Sequence, residues 1–457
     1  MTNTTRRTSG LSRKKINRNK NSSLNKSQNN RSLRKIQPKG RNKRIYSSSP
    51  LTNLVTKVGM IFGLILIFYM IFIFEFPANY PNKFNVSSMR LDSKEITMNI
   101  ETDSYKGKLI PLEILLTMGK GEITLIGEKE TTIIFSNNKK IILKEGSRKV
   151  KIDGKTHKFN APVVTYEKLV LIPGELAEEL FPKKFNFDDG KINYTLSEDL
   201  VEGDYLNFED YDGYLGLVNK ENPLTESYEP ADLVNMNTLK SITAYGTNTS
   251  LRKEAAEALT KMYNENNIGY AMTSGFRTYA IQTQLFNEKV AANMNAGKTE
   301  EQAKADASTV VAIPGTSEHQ IGLAVDFSIP GVVLTEEFKN TVPGKWLSEN
   351  SYKYGFILRY TKEQTAITNI IFEPWHFRYI GFPHSEILFK EGIVFDTYIK
   401  ILREDKVKYF KDEKNEEYII WLLSGLLKPE KLEFNISNGI GVSSDNGEGI
   451  ILTMKIK

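Results

Sequence analysis

The sequence has 457 residues and no cysteine, which excludes disulfides, cysteine nucleophiles and cysteine-ligated metal sites. Its length predicts two or three domains, each able to bury a core. The formal net charge of +6 is unevenly spread: residues 1–57 hold 16 Lys/Arg and no Asp/Glu, whereas the other 400 residues hold 45 basic and 55 acidic side chains. A basic tail is therefore joined to a mildly acidic body.

The N-terminal part of the chain predicts a tail followed by a membrane anchor. Residues 1–53 are rich in Asn, Ser, Arg and Lys, and they lack the apolar surface that would offset the entropy of ordering them, so we expect them to be disordered. Residues 58–74 form a run of 17 uncharged, mostly apolar residues, which predicts a transmembrane helix at 54–76. The run is apolar on every face, which argues against a buried core helix, and no small-residue cleavage site follows it, which favours an uncleaved signal anchor.

The charge of the tail predicts the orientation of this anchor. By the positive-inside rule, residues 1–57 lie in the cytoplasm and the body lies outside the cell. The tail then serves as an orientation signal that contacts anionic lipid. We therefore expect the lipid bilayer as a partner and expect no nucleic-acid binding.

Residues 90–200 predict a small β-rich domain, because short runs of alternating apolar and polar residues are separated by turn signals such as Asp153-Gly154. The segment 105–194 resembles the stalk-like N-terminal domain of copper amine oxidases, which implies a spacer or binding module without a copper site. An acidic, Tyr- and Gly-rich linker is expected at 201–216.

A second folded domain is predicted at 217–405, followed by a β-rich extension at 406–457. Ser250 can cap a helix that runs to about residue 267, and residues 268–278 predict a strand that ends in a tight turn. A further helix is expected at 279–296. Two stretches rich in potential metal ligands follow it.

These two stretches hold the candidate site. Residues 316–326 contain His319 and Asp326, and residues 372–378 contain Glu373 and His376. Two imidazoles and one carboxylate are a suitable ligand set for a catalytic zinc ion, and a second carboxylate beside them can act as a base. On one regular strand the seven-residue spacing would put His319 and Asp326 on opposite faces, but Gly322 allows a bend between them.

Structural roles and another metal chemistry are alternatives to this zinc site. His319 and Asp326 taken alone could be a hydrogen-bonded core histidine and a turn residue, and Glu373 could form a surface ion pair. The same ligand types also occur in non-haem iron oxygenases, although there the histidine and carboxylate usually stand closer together. Arg277, Ser317, Gln284 and Trp375 have no specific role that spacing alone assigns.

The motifs S-x-H-x-x-G-x-A-x-D at 317–326 and E-x-W-H at 373–376 resemble those of the VanY-type D-alanyl-D-alanine carboxypeptidases, which belong to the LAS group of zinc peptidoglycan peptidases. The resemblance extends to residues 217–220, 273–278 and 355–360. It implies an α+β, LAS/hedgehog-like zinc peptidase domain with a central antiparallel sheet and flanking helices. It also implies one Zn²⁺ ion.

The resemblance also implies a role for each matched residue. His319, Asp326 and His376 would be the zinc ligands, Glu373 the catalytic base and Arg277 the cation that stabilises the transition state. The substrate contacts would come from Ser317, Gln284 and Trp375.

The implied activity is removal of the terminal D-Ala from peptidoglycan stem peptides at the outer face of the membrane. The alternatives within the same group are an L,D-carboxypeptidase, a D,D-dipeptidase and an endopeptidase. An alternative of another class is a catalytically silent protein that binds the cell wall.

Overall fold

The computed structural model describes residues 83–92, 95–102, 108–126, 130–188, 190–195, 205–208, 212–239, 242–246, 248–266, 268–329, 334–435 and 440–456. The predicted tail at 1–53 and the predicted anchor at 54–76 lie outside these ranges. Within the ranges, no helix is both long enough and apolar enough to cross a bilayer.

The N-terminal module is built from short strands and two short helices. An antiparallel sheet has the strand order β4-β5-β6-β7-β8, and a small sheet has the order β3-β10-β9. The strands are β1 Phe84–Leu91, β2 Glu95–Thr102, β3 Leu109–Pro111, β4 Gly121–Ile126, β5 Glu130–Phe135, β6 Lys140–Lys144, β7 Lys149–Ile152, β8 Lys155–Lys158, β9 Val164–Tyr166, β10 Leu169–Pro173, β11 Phe185–Asp188, β12 Lys191–Thr195 and β13 Tyr205–Asn207, and the helices are α1 Leu112–Gly119 and α2 Gly174–Leu180.

Alternation of apolar and polar residues produces these strands. In β7, Val150 and Ile152 are buried whereas Lys149 and Lys151 are exposed, as a half-buried strand requires. Ile152 pairs with the first residue of β8, so the Asp153-Gly154 dipeptide forms a two-residue hairpin loop. Both of its residues have positive φ, 49° and 82°, which suits the right-handed twist of the flanking strands.

The region predicted as the peptidase domain has a four-stranded antiparallel sheet with the order β16-β17-β19-β18. The strands are β14 Leu233–Asn235, β15 Ser250–Arg252, β16 Ala271–Ser274, β17 Ala324–Ser328, β18 Phe356–Leu358 and β19 His376–Tyr379, and the helices are α3 Lys253–Glu265, α4 Tyr279–Asn295, α5 Glu300–Ala307, α6 Val342–Asn350, α7 Thr365–Thr368, α8 His384–Glu391 and α9 Phe395–Asp405.

Helix boundaries differ from the predictions where tertiary pairing intervenes. Ser250 is not a helix cap, because it belongs to β15 and pairs with Asn235. Helix α3 begins instead at Lys253. Helix α4 begins where predicted, and the side chain of Thr278 caps it by accepting a hydrogen bond from the N–H of Ile281. This cap places the first turn of α4 next to Arg277.

The C-terminal strands form an antiparallel sheet with the order β20-β21-β24-β23. Side chains of β21 alternate between two cores: Trp421 packs with residues of the N-terminal module, whereas Ile420 and Leu422 pack with helices α8 and α9. The strands are β20 Val407–Lys411, β21 Glu417–Leu423, β22 Leu432–Asn435, β23 Ile440–Ser444 and β24 Ile450–Lys455.

One strand from this C-terminal region joins the N-terminal module. Strand β22 lies between β1 and β13 in a sheet with the order β11-β12-β2-β1-β22-β13. It runs parallel to β1 and antiparallel to β13, which comes from the predicted linker. Short-range patterning carries no information on a pairing between such distant segments, so these contributions could not be predicted from the sequence.

Candidate active site

The segment that carries His319 and Asp326 passes from a turn into a fully buried strand. Gly322 lies between them with φ 74°, a conformation that glycine adopts without steric cost. Its N–H donates to the carbonyl of His319 at 3.2 Å. Strand β17 begins only at Ala324. His319 is therefore outside the strand, and the two-residue period does not separate its side chain from that of Asp326.

His319 is buried, and its ring is oriented by the backbone. Nδ1 lies 2.7 Å from the carbonyl oxygen of Gly275, so Nδ1 carries the proton and donates it. Nε2 lies 3.3 Å from Oδ2 of Asp326. Burial, with a contribution from the nearby Arg277 cation, lowers the pKa of His319 to about 4. The ring is therefore neutral at pH 7, with the lone pair of Nε2 facing Asp326.

His376 approaches the same carboxylate from the neighbouring strand. It is the direct cross-strand partner of Asp326 in the β17–β19 pair. Its Nδ1 atom lies 3.1 Å from Oδ1 of Asp326. Burial acts to lower the pKa of His376, but hydrogen bonds to Asp326 and Glu318 outweigh it and raise the pKa to about 9. A positive charge is therefore favourable at this position.

These three side chains form a compact donor set. One ligand atom from each of His319, Asp326 and His376 lies within 4.8 Å of the others. Tetrahedral coordination by ligands 2.0–2.1 Å from zinc places ligand atoms about 3.3 Å apart, and the two imidazole nitrogens lie 3.3 and 3.1 Å from the two different oxygens of the Asp326 carboxylate. Burial acts to raise the pKa of Asp326, but the histidines and Arg277 hold it well below its usual range, so its oxygens are available as an anion. The set fits a zinc ion in chemistry and spacing.

Glu373 lies beside this set. Its Oε2 atom is 3.8 Å from Nδ1 of His376, and the residue is 7% exposed. A turn fixes it: its N–H donates to the carbonyl of Tyr360, and its carbonyl accepts from the N–H of His376. Burial raises the pKa of Glu373 to about 7, although the His376 charge acts against it. A carboxylate with a pKa near neutrality can both accept and donate a proton.

Arg277 provides a fixed cation at the same place. Its Nη2 atom donates to Oδ2 of Asp326 at 2.8 Å, and Nε donates to the hydroxyl of Ser274 at 3.0 Å. Nη1 donates to Oε1 of Gln282 at 3.4 Å, and Gln282 in turn donates to the carbonyl of Ala312 at 2.8 Å. The guanidinium is thereby held on three sides.

A cavity of about 500 Å³ opens over these groups. The predicted contacts Ser317 and Trp375 both line it, together with Arg277, Glu373 and the three candidate ligands. Gln284 does not line it, because its side chain is on the exposed side of α4 and donates to Glu288. Gln282 lines the cavity instead. It lies one turn after the cap Thr278, a spacing that returns to the same helix face and could have identified it.

A buried ionic cluster beneath the site was also missed. Oε1 of Glu318 accepts hydrogen bonds from Nε of Arg359 at 2.8 Å and from Nη1 of Arg378 at 3.0 Å. Arg359 forms a second ion pair with Asp396 at 2.7 Å. These four side chains lie on different segments of the chain. Only the position of Glu318 directly before His319 in the sequence indicated that it lies near the site.

Comparison with known proteins places this site in a family. The model of the D-alanyl-D-alanine carboxypeptidase family matches residues 248–382. A putative carboxypeptidase of Bacillus subtilis, YodJ, is 36% identical over 232 residues, which are 48% of this chain and 82% of that protein. The chain belongs to the VanY family of D-alanyl-D-alanine carboxypeptidases.

A second curated relative agrees with this assignment. A D-alanyl-D-alanine carboxypeptidase of Enterococcus faecium is 31% identical over 271 residues, which are 57% of this chain and 82% of that protein. Among solved structures, a vancomycin-resistance D,D-pentapeptidase VanY variant in complex with Zn(II) is 35% identical, with a TM-score of 0.35 and coverage of 40% of this chain and 98% of that chain.

The motif resemblance is thereby confirmed, and the VanY-family chain is a metallopeptidase of the carboxypeptidase type. Residues 89–196 match the N-terminal domain of copper amine oxidases, which confirms the second resemblance. The VanY-family match contains all four residues predicted as ligands and base.

Proposed function

We propose that this protein is a zinc-dependent D,D-carboxypeptidase that removes the terminal D-Ala from peptidoglycan stem peptides. One observation carries the proposal: His319, Asp326 and His376 converge within 4.8 Å, beside Glu373 and at the base of an open cavity. In the proposed site, these three residues hold one zinc ion through Nε2 of His319, the carboxylate of Asp326 and Nδ1 of His376.

A bound zinc ion would supply a Lewis acid that polarises the scissile carbonyl and acidifies water. Glu373 accepts a proton from the attacking water and then donates it to the nitrogen of the departing D-Ala. Its burial and near-neutral pKa support both halves of this transfer. One water is consumed, the peptide C–N bond breaks, and a free carboxylate and a free amine result.

Arg277 stabilises the negative charge that develops on the carbonyl oxygen. Its guanidinium lies at the cavity wall and is preorganised by Ser274 and Gln282, so little reorganisation is needed during the reaction. Ser317 and Trp375 contribute to the wall that holds the peptide. The D,D specificity is supported by the name of the Enterococcus faecium relative, whose substrate preference we extend to this chain.

The proposal is tested with the purified full-length protein and synthetic tri-, tetra- and pentapeptide stems. We expect one bound zinc per chain by elemental analysis and release of D-Ala from the pentapeptide, detected by mass spectrometry. Release from the tetrapeptide alone would indicate an L,D-carboxypeptidase, and loss of a dipeptide would indicate a D,D-dipeptidase. No release from any peptide with zinc bound would contradict the proposed activity.

We also propose that residues 54–76 anchor the protein with its catalytic part outside the cell. The apolar run at 58–74 and the 16 Lys/Arg within residues 1–57 support this orientation. Because the chain has no cysteine, single substitutions report topology directly. In intact cells, Glu349→Cys should react with a membrane-impermeant maleimide, whereas Ser9→Cys should react only after lysis. The reverse pattern would contradict the proposed orientation.

A further inference from the structure

Glu318 is next to His319 in sequence, but its side chain faces the other histidine of the site. Oε2 of Glu318 lies 3.5 Å from Nε2 of His376. Both residues are buried, and the side chain of Glu318 is 0% exposed. Among the described residues, neither of these two atoms has another hydrogen-bond partner. The Nε2–H of His376 and Oε2 of Glu318 are therefore the only donor and acceptor available to one another in the described part of the chain.

The charge of Glu318 is compensated on its other side. Oε1 accepts hydrogen bonds from Arg359 and Arg378, and Asp396 pairs with Arg359. Two carboxylates thus balance two guanidiniums in a buried cluster. Glu318 is therefore an anion whose Oε2 atom can accept a hydrogen bond from the Nε2–H of His376.

The two histidines use opposite nitrogens toward the shared carboxylate. In His319 the carbonyl of Gly275 holds the proton on Nδ1 and leaves Nε2 to face Asp326. In His376 the nitrogen that faces Asp326 is Nδ1, so its proton must reside on Nε2 for Nδ1 to offer a lone pair. The only acceptor within reach of that Nε2–H in the described part of the chain is Glu318.

We propose that Glu318 is a positioning residue that holds the proton of His376 on Nε2 and thereby directs the Nδ1 lone pair toward the metal. The inference rests on the proposed function, because it requires a metal ion at the site. Such outer carboxylates fix the tautomer and ring orientation of metal-ligating histidines and are worth 10- to 100-fold in metal affinity.

The two oxygens of Glu318 allow a purely structural role to be distinguished from the proposed one. The arginines are satisfied through Oε1, whereas the contact with His376 uses Oε2. Glu318→Gln separates the two functions. The amide oxygen can replace Oε1 toward the arginines, which leaves the amide NH₂ facing Nε2 of His376. Because that NH₂ is a donor, it favours the tautomer with the proton on Nδ1, which is the wrong one for metal binding.

The experiment measures zinc affinity of the full-length protein by chelator competition. We expect about 10- to 100-fold weaker binding in Glu318→Gln than in the wild type. Asp396→Asn is the matched control, because it removes a carboxylate from the same buried cluster without touching His376. We expect its zinc affinity to remain within about twofold of the wild-type value. Equal weakening in both variants would assign Glu318 to the cluster alone and overturn the proposal.

A second measurement needs no variant. In the zinc-loaded wild type, ¹⁵N correlation spectra of ¹⁵N-histidine-labelled protein should show His376 with its proton on Nε2, protected from exchange. A proton on Nδ1, with zinc bound through Nε2, would overturn the proposal even if the variants fail to fold. Tight zinc binding with equal affinity in the wild type and Glu318→Gln overturns the role of Glu318 alone, whereas a wild type without zinc affinity also overturns the proposed function.

Discussion

The guanidinium of Arg277 lies 2.8 Å from Oδ2 of Asp326, the carboxylate that both histidines share. Asp326 is almost completely buried, and Arg277 is largely buried. The cation therefore balances a charge that would otherwise be costly to bury. The same cation lies at the wall of the cavity, where the proposed function requires it to stabilise the negative charge that develops during peptide hydrolysis.

Substitution of Arg277 should impair turnover more than binding. Arg277→Lys keeps the positive charge but loses the planar group that bonds Asp326, Ser274 and Gln282 together. We expect kcat to fall about 100-fold with KM changed by only a few-fold, measured by D-Ala release from a pentapeptide. Arg148→Lys, an exposed change in the N-terminal module, should leave both constants unchanged. A large rise in KM with normal kcat would instead indicate ground-state binding by Arg277.

Removal of the acid–base group should abolish turnover without loss of metal. Glu373→Gln preserves the size of the side chain but cannot carry a proton, so we expect kcat to fall at least 100-fold while the zinc content stays at the wild-type level. The exposed Glu363→Gln serves as the control for a neutralised carboxylate. If Glu373→Gln kept more than a tenth of the wild-type kcat, another group would have to be the base.

The two neighbouring glutamines of α4 should differ sharply. Gln282 is buried and bonds both Arg277 and the carbonyl of Ala312, whereas Gln284 is exposed and bonds Glu288. A hydrogen bond to a charged group contributes about 1.5–3 kcal/mol. Gln282→Ala should therefore lower kcat/KM by about 10- to 100-fold, and Gln284→Ala by less than twofold. The opposite ranking would restore the sequence-based assignment of Gln284.

The buried histidine outside the site should make stability depend on pH. Nδ1 of His384 lies 2.8 Å from the hydroxyl of Tyr398, and Nε2 lies 2.9 Å from the hydroxyl of Thr453. Burial lowers the pKa of His384 to about 3, compared with about 6.5 in an unfolded chain. Because the unfolded state then binds the proton more readily, this contribution is complete above pH 6.5 and is lost as pH falls from 6.5 toward 3.

Urea unfolding at pH 7.0 and 5.5 measures this effect. We expect His384 alone to lower the free energy of unfolding by about 1 kcal/mol between these two values. His319, whose pKa is also lowered by burial, adds a change of the same sign, whereas His376 and Glu373, whose pKa values are raised, add changes of the opposite sign; all three are common to both proteins. The comparison with His384→Asn therefore isolates the term: the variant should be less stable at pH 7.0 but lose less stability on acidification. Parallel losses in both proteins would contradict the assignment.

The sequence predicted the candidate ligands and the candidate base, which the structure brings together, but it did not predict the groups around them. These four residues lie in two short stretches with a distinctive pattern, and the ligand chemistry together with the family resemblance assigned both stretches to one site. Gly322 also signalled the bend that brings His319 beside Asp326, and the structure contains it. Within each stretch, the inference depends on residues that are close in the chain.

The groups that escaped prediction act over long separations or depend on helix phase. The cluster of Glu318, Arg359, Arg378 and Asp396 forms because the turn before β17, the end of β18, strand β19 and helix α9 pack together, and nothing in the local sequence indicates it. Gln282 and Gln284 differ by two positions on α4, which turns one toward the cavity and the other toward solvent. The sequence alone could not distinguish the two glutamines, because it does not show which face of α4 is covered.

Strand β22 makes the assembly of the N-terminal sheet depend on the C-terminal region of the described chain. Met89 in β1 pairs with Leu432 in β22, so the sheet that begins near residue 84 lacks an inner strand until more than 300 further residues have been made. Closing so long a loop is slow compared with forming local contacts. Until β22 has been synthesised, one edge of β1 has no partner strand, and such an edge can pair with another chain. Premature termination anywhere before residue 432 would leave that edge permanently open, so truncated products should be cleared or aggregate rather than persist as active peptidase.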